Sequence, residues 1–205
     1  MLFDDTYRTI SAPAEGIFRD KGSKFIAYAF PFSQEESLKD LLQEIKKEHP
    51  KARHHCFAWR LGTDRGVFRV NDDGEPSGTA GRPILNCLLS KDLTNILVVV
   101  VRYFGGTLLG VPGLINAYKP ATEDAISQST VVEKTVDDVY RLSFDYLLMN
   151  DVMRIIKEEN LEIQNQHFDT QCSLEIAIRK TYLNAVLGRL EKLEGLDLSY
   201  LHTMG

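Results

Sequence analysis

Between Asp72 and Pro83 the chain reads Asp-Asp-Gly-Glu-Pro-Ser-Gly-Thr-Ala-Gly-Arg-Pro. Three carboxylates, the hydroxyls of Ser77 and Thr79 and the guanidinium of Arg82 share twelve positions with three glycines. Little of this segment can pack a core. Glycines admit φ > 0 and let another group approach the amides closely, and Pro76 restricts Glu75 to extended conformations, which aims its carboxylate. Three readings fit the segment. It is a hard-cation site on Asp72, Asp73 and Glu75, an anion nest of amides with Arg82, or a rigid double turn between a strand and a helix.

A second segment, Arg102 to Gly113, reads Arg-Tyr-Phe-Gly-Gly-Thr-Leu-Leu-Gly-Val-Pro-Gly. It follows a buried strand and precedes a helix, the setting in which glycine loops cradle phosphates. Gly105 to Gly110 has the G-x-x-x-x-G spacing of a phosphate loop. Val111-Pro112 nevertheless stands where Lys-Ser/Thr would act, and the next lysine is Lys119. The NTPase mechanism therefore has no parts, and a dinucleotide-binding G-x-G-x-x-G is also absent. What remains is a helix N-terminus with free amides beside Arg102, with Tyr103, Gly105 and Gly106 of the loop as further candidate binding residues. The alternative is close helix–strand packing through glycine.

His54 and His55 precede Cys56, but adjacent strand residues point to opposite faces, and no orienting acid can be assigned. H-E-x-x-H and G-x-S-x-G do not occur. No catalytic residue, metal ligand set or cofactor is assigned.

The elements that must carry these segments follow from periodicity. Lys24 to Phe32 alternates and is aromatic-rich, as a strand does. Ser33 and Glu36 have capping-box spacing, and Leu38, Leu41, Leu42 and Ile45 trace one stripe of a helix to His49. His55 to Leu61 and Gly66 to Val70 read as strands joined at Gly62-Thr63-Asp64. Leu97 to Val101 is a continuous apolar run, β-branched after its leucine, and reads as a central strand buried on both faces. Pro112 to Gln128 reads as a helix that Pro120 kinks or divides. After residue 133 the order is β-α-β-β-α-β, that of a ferredoxin-like split βαβ motif. The expected division is therefore 1–133 and 134–205, in an α+β class.

Composition limits the partners. The 205 residues are 43% hydrophobic and 26% charged, with a net charge of −5, which excludes a disordered tail and a protein coating nucleic acid by bulk charge. The charge is uneven. Lys51 to Lys119 holds 9 basic residues against 5 acidic, whereas Thr135 to Gly205 holds 7 against 12. The longest apolar run, Ile96 to Val101, is too short to span a membrane. Three widely spaced cysteines without C-x-x-C and an N-terminal MLFDDTYRTI without signal character point to a reduced, cytoplasmic, soluble protein.

At the two glycine-rich segments a resemblance becomes specific. Asp72 to Leu85 together with Val98 to Tyr118 closely resembles the IMPACT family, the YigZ-like proteins of bacteria. Gly22-Ser23-Lys24-Phe25-Ile26-Ala27 and Ala52-Arg53-His54-His55-Cys56 look like that family's shorter N-terminal motifs, so the match spans most of residues 20 to 126. It departs where Leu108-Leu109-Gly110 lacks the family's lysine and Lys119 stands where a serine is usual. The resemblance implies an N-terminal domain like the second domain of a small-subunit ribosomal protein and a C-terminal domain like one in elongation factor G. It also implies kinship with eukaryotic regulators of translation during amino-acid starvation.

The expectation is a non-catalytic regulator that binds RNA, the ribosome or a translation-associated protein, with no membrane role and no DNA sequence specificity. Its binding residues are those of the four motifs, from Lys24 and Arg53 to Lys119, with Lys51 and Arg60 adding phosphate contacts. The two long segments should meet on one concave surface, with Arg102 near the carboxylates, Arg82 on the rim and His54 or His55 nearby. The rival is an enzyme for a small phosphorylated or nucleotide substrate with a carboxylate-held cation. A third reading is an interaction module built on the acidic C-terminal domain.

Overall fold

The computed structural model describes residues 5–205, so the first four residues of the N-terminal stretch read above lie outside the described residues. The chain is α+β and divides into two compact units, residues 7–134 and residues 135–205, the latter including residues 5 and 6.

The first unit contains β1 (Thr6–Ile10), β2 (Ala14–Asp20), β3 (Ser23–Pro31), α1 (Leu38–Glu48), β4 (His54–Leu61) and β5 (Val67–Asn71). It continues through α2 (Gly81–Ser90), β6 (Ile96–Tyr103), α3 (Gly110–Gln128) and β7 (Val131–Thr135). Five strands form one sheet in the order β2-β3-β6-β4-β5, while β1 pairs with β7. The run Ile96–Val101 forms the centre of the sheet and is buried on both faces, as an uninterrupted apolar strand requires. Strand alternation sends Phe25, Ala27, Cys56, Ala58, Val98 and Val100 to the face covered by α2 and α3. Ile26, Phe57, Trp59, Leu97, Val99 and Val101 face α1.

Two local expectations are corrected. The Ser33–Glu36 capping box does not form. A 3-10 turn at Glu35–Ser37 precedes α1, its N-cap is Gln34 without a side-chain cap, and the Ser37 hydroxyl donates to the Gln34 carbonyl at 2.9 Å. That extra turn delays the helix, which leaves Ser33 outside it. Pro120 does not divide α3, which runs from Gly110 to Gln128. The carbonyl deprived of its partner belongs to Asn116, an exposed residue, where water can take the bond.

The second unit contains β8 (Asp137–Asp145), α4 (Met149–Glu158), β9 (Glu162–His167), β10 (Gln171–Arg179), α5 (Leu183–Leu190) and β11 (Asp197–Met204). Its antiparallel sheet has the order β11-β8-β10-β9. Leu142, Phe144, Leu174, Ile176 and Ile178 meet Val152, Ile155, Ile156, Val186 and Leu190 in its core. Strands β1, β2 and β7 show no regular alternation of apolar and polar residues in the sequence.

Candidate binding end of the five-stranded sheet

Strand register brings all four motif segments to one end of the sheet. Asp20 pairs with Ser23, Lys24 with Tyr103, His54 with Arg102, and Phe57 with Asn71. The β2–β3 turn, the approach to β4, the loop after β5 and the loop after β6 therefore open at the same edge, where loops carry function.

The loop after β5 is built by its own carboxylates. Asp73-Gly74 takes φ values of 40° and 85°, and the Glu75 amide donates to the Asp72 carbonyl at 2.9 Å. This is the left-handed Asp-Gly turn that only a small or short polar pair adopts readily. The Asp72 carboxylate then accepts from the amides of Gly78 at 2.9 Å, Ala80 at 3.1 Å and Gly81 at 2.8 Å. It thereby caps α2 from nine residues upstream, where orphan amides and the helix dipole favour an anion. Asp73 accepts from the His55 amide at 2.7 Å through its carboxylate and meets His54 Nδ1 at 2.8 Å through its carbonyl. The Thr79 hydroxyl donates to the Pro76 carbonyl at 2.6 Å.

Glu75 turns inward. Its Oε1 accepts from Arg102 Nη1 at 2.6 Å and from the Tyr118 hydroxyl at 2.8 Å. The side chains of Glu75 and Arg102 are only 4% and 6% exposed. The Arg102 guanidinium also lies 5.5 Å from the Phe25 ring and 5.7 Å from Phe104. Cys56 Sγ approaches the Asp72 carbonyl at 2.9 Å and the Tyr118 hydroxyl at 3.3 Å. Burial pushes both the Cys56 thiol and the Tyr118 hydroxyl well above their ordinary pKa values.

The cation reading loses its ligand set here. The three carboxylates diverge onto different donors, and the described residues contain no group of three acidic, histidine or cysteine side chains disposed to hold a metal.

The single concave surface expected from the sequence is also divided. The two long segments do meet, through Glu75, Arg102 and Tyr118, and His54 stands beside them. By strand alternation, however, Lys24, His55 and Tyr103 belong to the α1 face. There Tyr103 contacts His49 Nδ1 at 2.8 Å, and Tyr28 contacts His49 Nε2 at 2.7 Å. Burial, reinforced by Glu15 and Glu48, raises the Tyr28 pKa. Burial lowers that of His55, although the Asp73 carboxylate 3.7 Å away opposes the shift. His49 was not singled out by the sequence, because a histidine at the end of an amphipathic helix carries no spacing signal.

The remaining candidates lie outward or in the backbone. Arg53, Ser77, Arg82 and Lys119 are exposed, and Lys24 is half-buried. Arg60 is instead buried, its guanidinium donating to the carbonyls of Arg65 and Leu93, so it is removed from the candidate phosphate contacts. The Gly105 amide donates to Ser23 Oγ at 3.1 Å, and a Cβ at Gly105 would stand 2.0 Å from the Gly22 carbonyl carbon. Gly106 has φ +88° with open space around it.

Residues 21–126 match the Impact N-terminal domain. The chain is 35% identical over 170 residues to the IMPACT family member YigZ of Escherichia coli, covering 82% of this chain and 83% of that one. It is 32% identical over 180 residues to the IMPACT family member YvyE of Bacillus subtilis, covering 88% and 83%. A crystal structure described as that of a hypothetical protein superposes with a TM-score of 0.73 at 31% identity, covering 97% of this chain and 98% of that one.

Proposed function

This chain belongs to the IMPACT family, and from that premise we propose that it is a non-catalytic cytoplasmic regulator linked to translation. Its partner is RNA, free or within the ribosome, bound at the open end of the five-stranded sheet. One observation carries the reading. At this end Glu75 is buried against Arg102 and Tyr118, and the half-buried carboxylates of Asp72 and Asp73 are taken up by backbone amides, whereas Lys21, Lys51 and Arg53 are exposed. The surface offered to a partner is thus more basic than the sequence of its loops, which suits phosphate contacts that position a nucleic acid without reading its bases. The resemblance to regulators of translation supports the same class of partner.

The reactive groups of this end suit binding better than catalysis. Cys56 is buried with a raised thiol pKa, so its thiolate is scarce, and Glu75 is neutralised by Arg102. No helix among the described residues is long and apolar enough to cross a membrane.

Fluorescence anisotropy of a labelled RNA across a potassium chloride series tests the proposal. Log affinity should fall linearly with log salt, with a slope of about −0.7 per phosphate contact on a single strand. Arg53→Gln should make that slope shallower by roughly one contact's share. Absence of binding at low salt overturns the RNA reading.

A further inference from the structure

A groove of about 440 Å³ runs between α2 and α3 on the first unit. It brings together two cations thirty-seven positions apart in sequence, Arg82 on α2 and Lys119 on α3. The Arg82 side chain is exposed and makes no hydrogen bond or ion pair among the described residues. Lys119 has a loose partner, Glu123 at 3.9 Å, which also lines the groove, and both side chains are partly in solvent. Pro83 and Ile115 supply an apolar wall, and the exposed Asn86, one helical turn beyond Arg82 on α2, lines the same groove.

We propose that this groove binds one nucleoside monophosphate unit, with its phosphate on Arg82 and Lys119 and its base against Pro83 and Ile115. The volume lies in the range of small-ligand sites and accommodates one nucleotide rather than a helical segment. An unpaired guanidinium and a weakly held ammonium supply the charge a phosphate needs. The apolar wall takes a base by its face, and Asn86, carrying both a donor and an acceptor, meets the base edge. The ligand is a free nucleotide or an unpaired nucleotide of RNA, since both present the same chemistry. The site lies along the helices, apart from the internally satisfied Glu75–Arg102 network, and thus adds a ligand that the RNA reading alone does not specify.

The full chain is titrated separately with the four free nucleoside monophosphates and with labelled single-stranded and duplex RNA of equal length. Binding is followed by anisotropy and by amide NMR shifts at Gly78 and Asn86. Arg82→Gln and Lys119→Gln should each weaken binding about tenfold, the loss of one charge-assisted phosphate contact. Asn86→Ala should alter the preference among bases, and Lys180→Gln, the same charge change in the second unit, should alter nothing. Melting curves establish that the variants fold.

Saturable binding of free mononucleotides that depends on Arg82 and Lys119 supports the proposal with a free ligand. Binding of single-stranded over duplex RNA with the same dependence supports it with an RNA nucleotide. RNA binding that both variants leave unchanged, without nucleotide binding, overturns the groove and leaves the RNA reading standing. Nucleotide binding without RNA binding supports the groove and overturns the RNA reading. No binding of either kind overturns both.

Discussion

The Glu75 carboxylate and the Arg102 guanidinium, twenty-seven positions apart, meet at 2.6 Å in a buried environment. This pair fastens the loop after β5 to the end of the central strand, and Tyr118 adds α3 through the same oxygen. One carboxylate therefore joins three elements, while Asp72 caps a fourth, α2.

Breaking that pair should cost more than deleting it. Glu75→Gln or Arg102→Met leaves a buried charge without its partner and should destabilise the first unit by about 3–5 kcal/mol. The double variant should lose much less stability than the sum of the two single losses. Urea denaturation in a double-mutant cycle measures the coupling, and strict additivity would show that the pair does not act as a unit.

Two glycines are required by close approach. A Cβ at Gly16 would stand 2.1 Å from the Ala125 amide nitrogen of α3, and one at Gly105 stands 2.0 Å from Gly22. Both neighbours are backbone and cannot rotate aside, so each Gly→Ala change should cost at least 1–3 kcal/mol, roughly the range for overpacking. Gly106→Ala meets no atom within 4 Å and should cost about 1 kcal/mol, from its positive φ alone. Thermal melts of the three variants rank the effects.

Acid should weaken the second unit through Asp5. Its buried carboxylate accepts from Arg179 Nε and Nη2, each at 2.8 Å, and from the amide and hydroxyl of Thr181. The Arg179 hydrogen bonds, with help from Thr181, hold its pKa well below the usual carboxylate range against the opposing effect of burial. A depressed folded pKa gives stability that is complete above the unfolded value, about 3.9, and lost as pH falls from there toward the folded value. Wild type should therefore lose stability more steeply below pH 4 than Asp5→Asn, which starts lower and depends less on pH. Parallel denaturation curves for the two proteins would refute this.

The thiols should be inert in the native state. Cys56, Cys87 and Cys172 are free and buried, and burial pushes the Cys87 thiol up to about 11. The thiolate is the nucleophile, so iodoacetamide at pH 7.5 should label none of them until denaturant is added. Mass spectrometry after timed quenching reads the extent, and rapid native labelling of Cys87 would contradict its placement.

The sequence by itself determined what depends on local periodicity. Ile96–Val101 had to be a central strand because every residue is apolar and β-branched or leucine, and the stripe from Leu38 to Ile45 had to be helical. The β-α-β-β-α-β order after residue 134 follows from the same alternation of periods, and the four motifs carry the family. Tertiary structure alone decided the fate of each polar group, because a carboxylate's partner is chosen by which elements are adjacent in space. Asp72, Asp73 and Glu75 are neighbours in the chain, yet they serve a helix end, a strand start and a buried arginine. Strand alternation separated Tyr103 from Arg102 although they are consecutive, and helix packing brought Arg82 and Lys119 to one groove although they are distant. Side-chain direction and long-range register set those outcomes, and neither is encoded in a window of neighbouring residues.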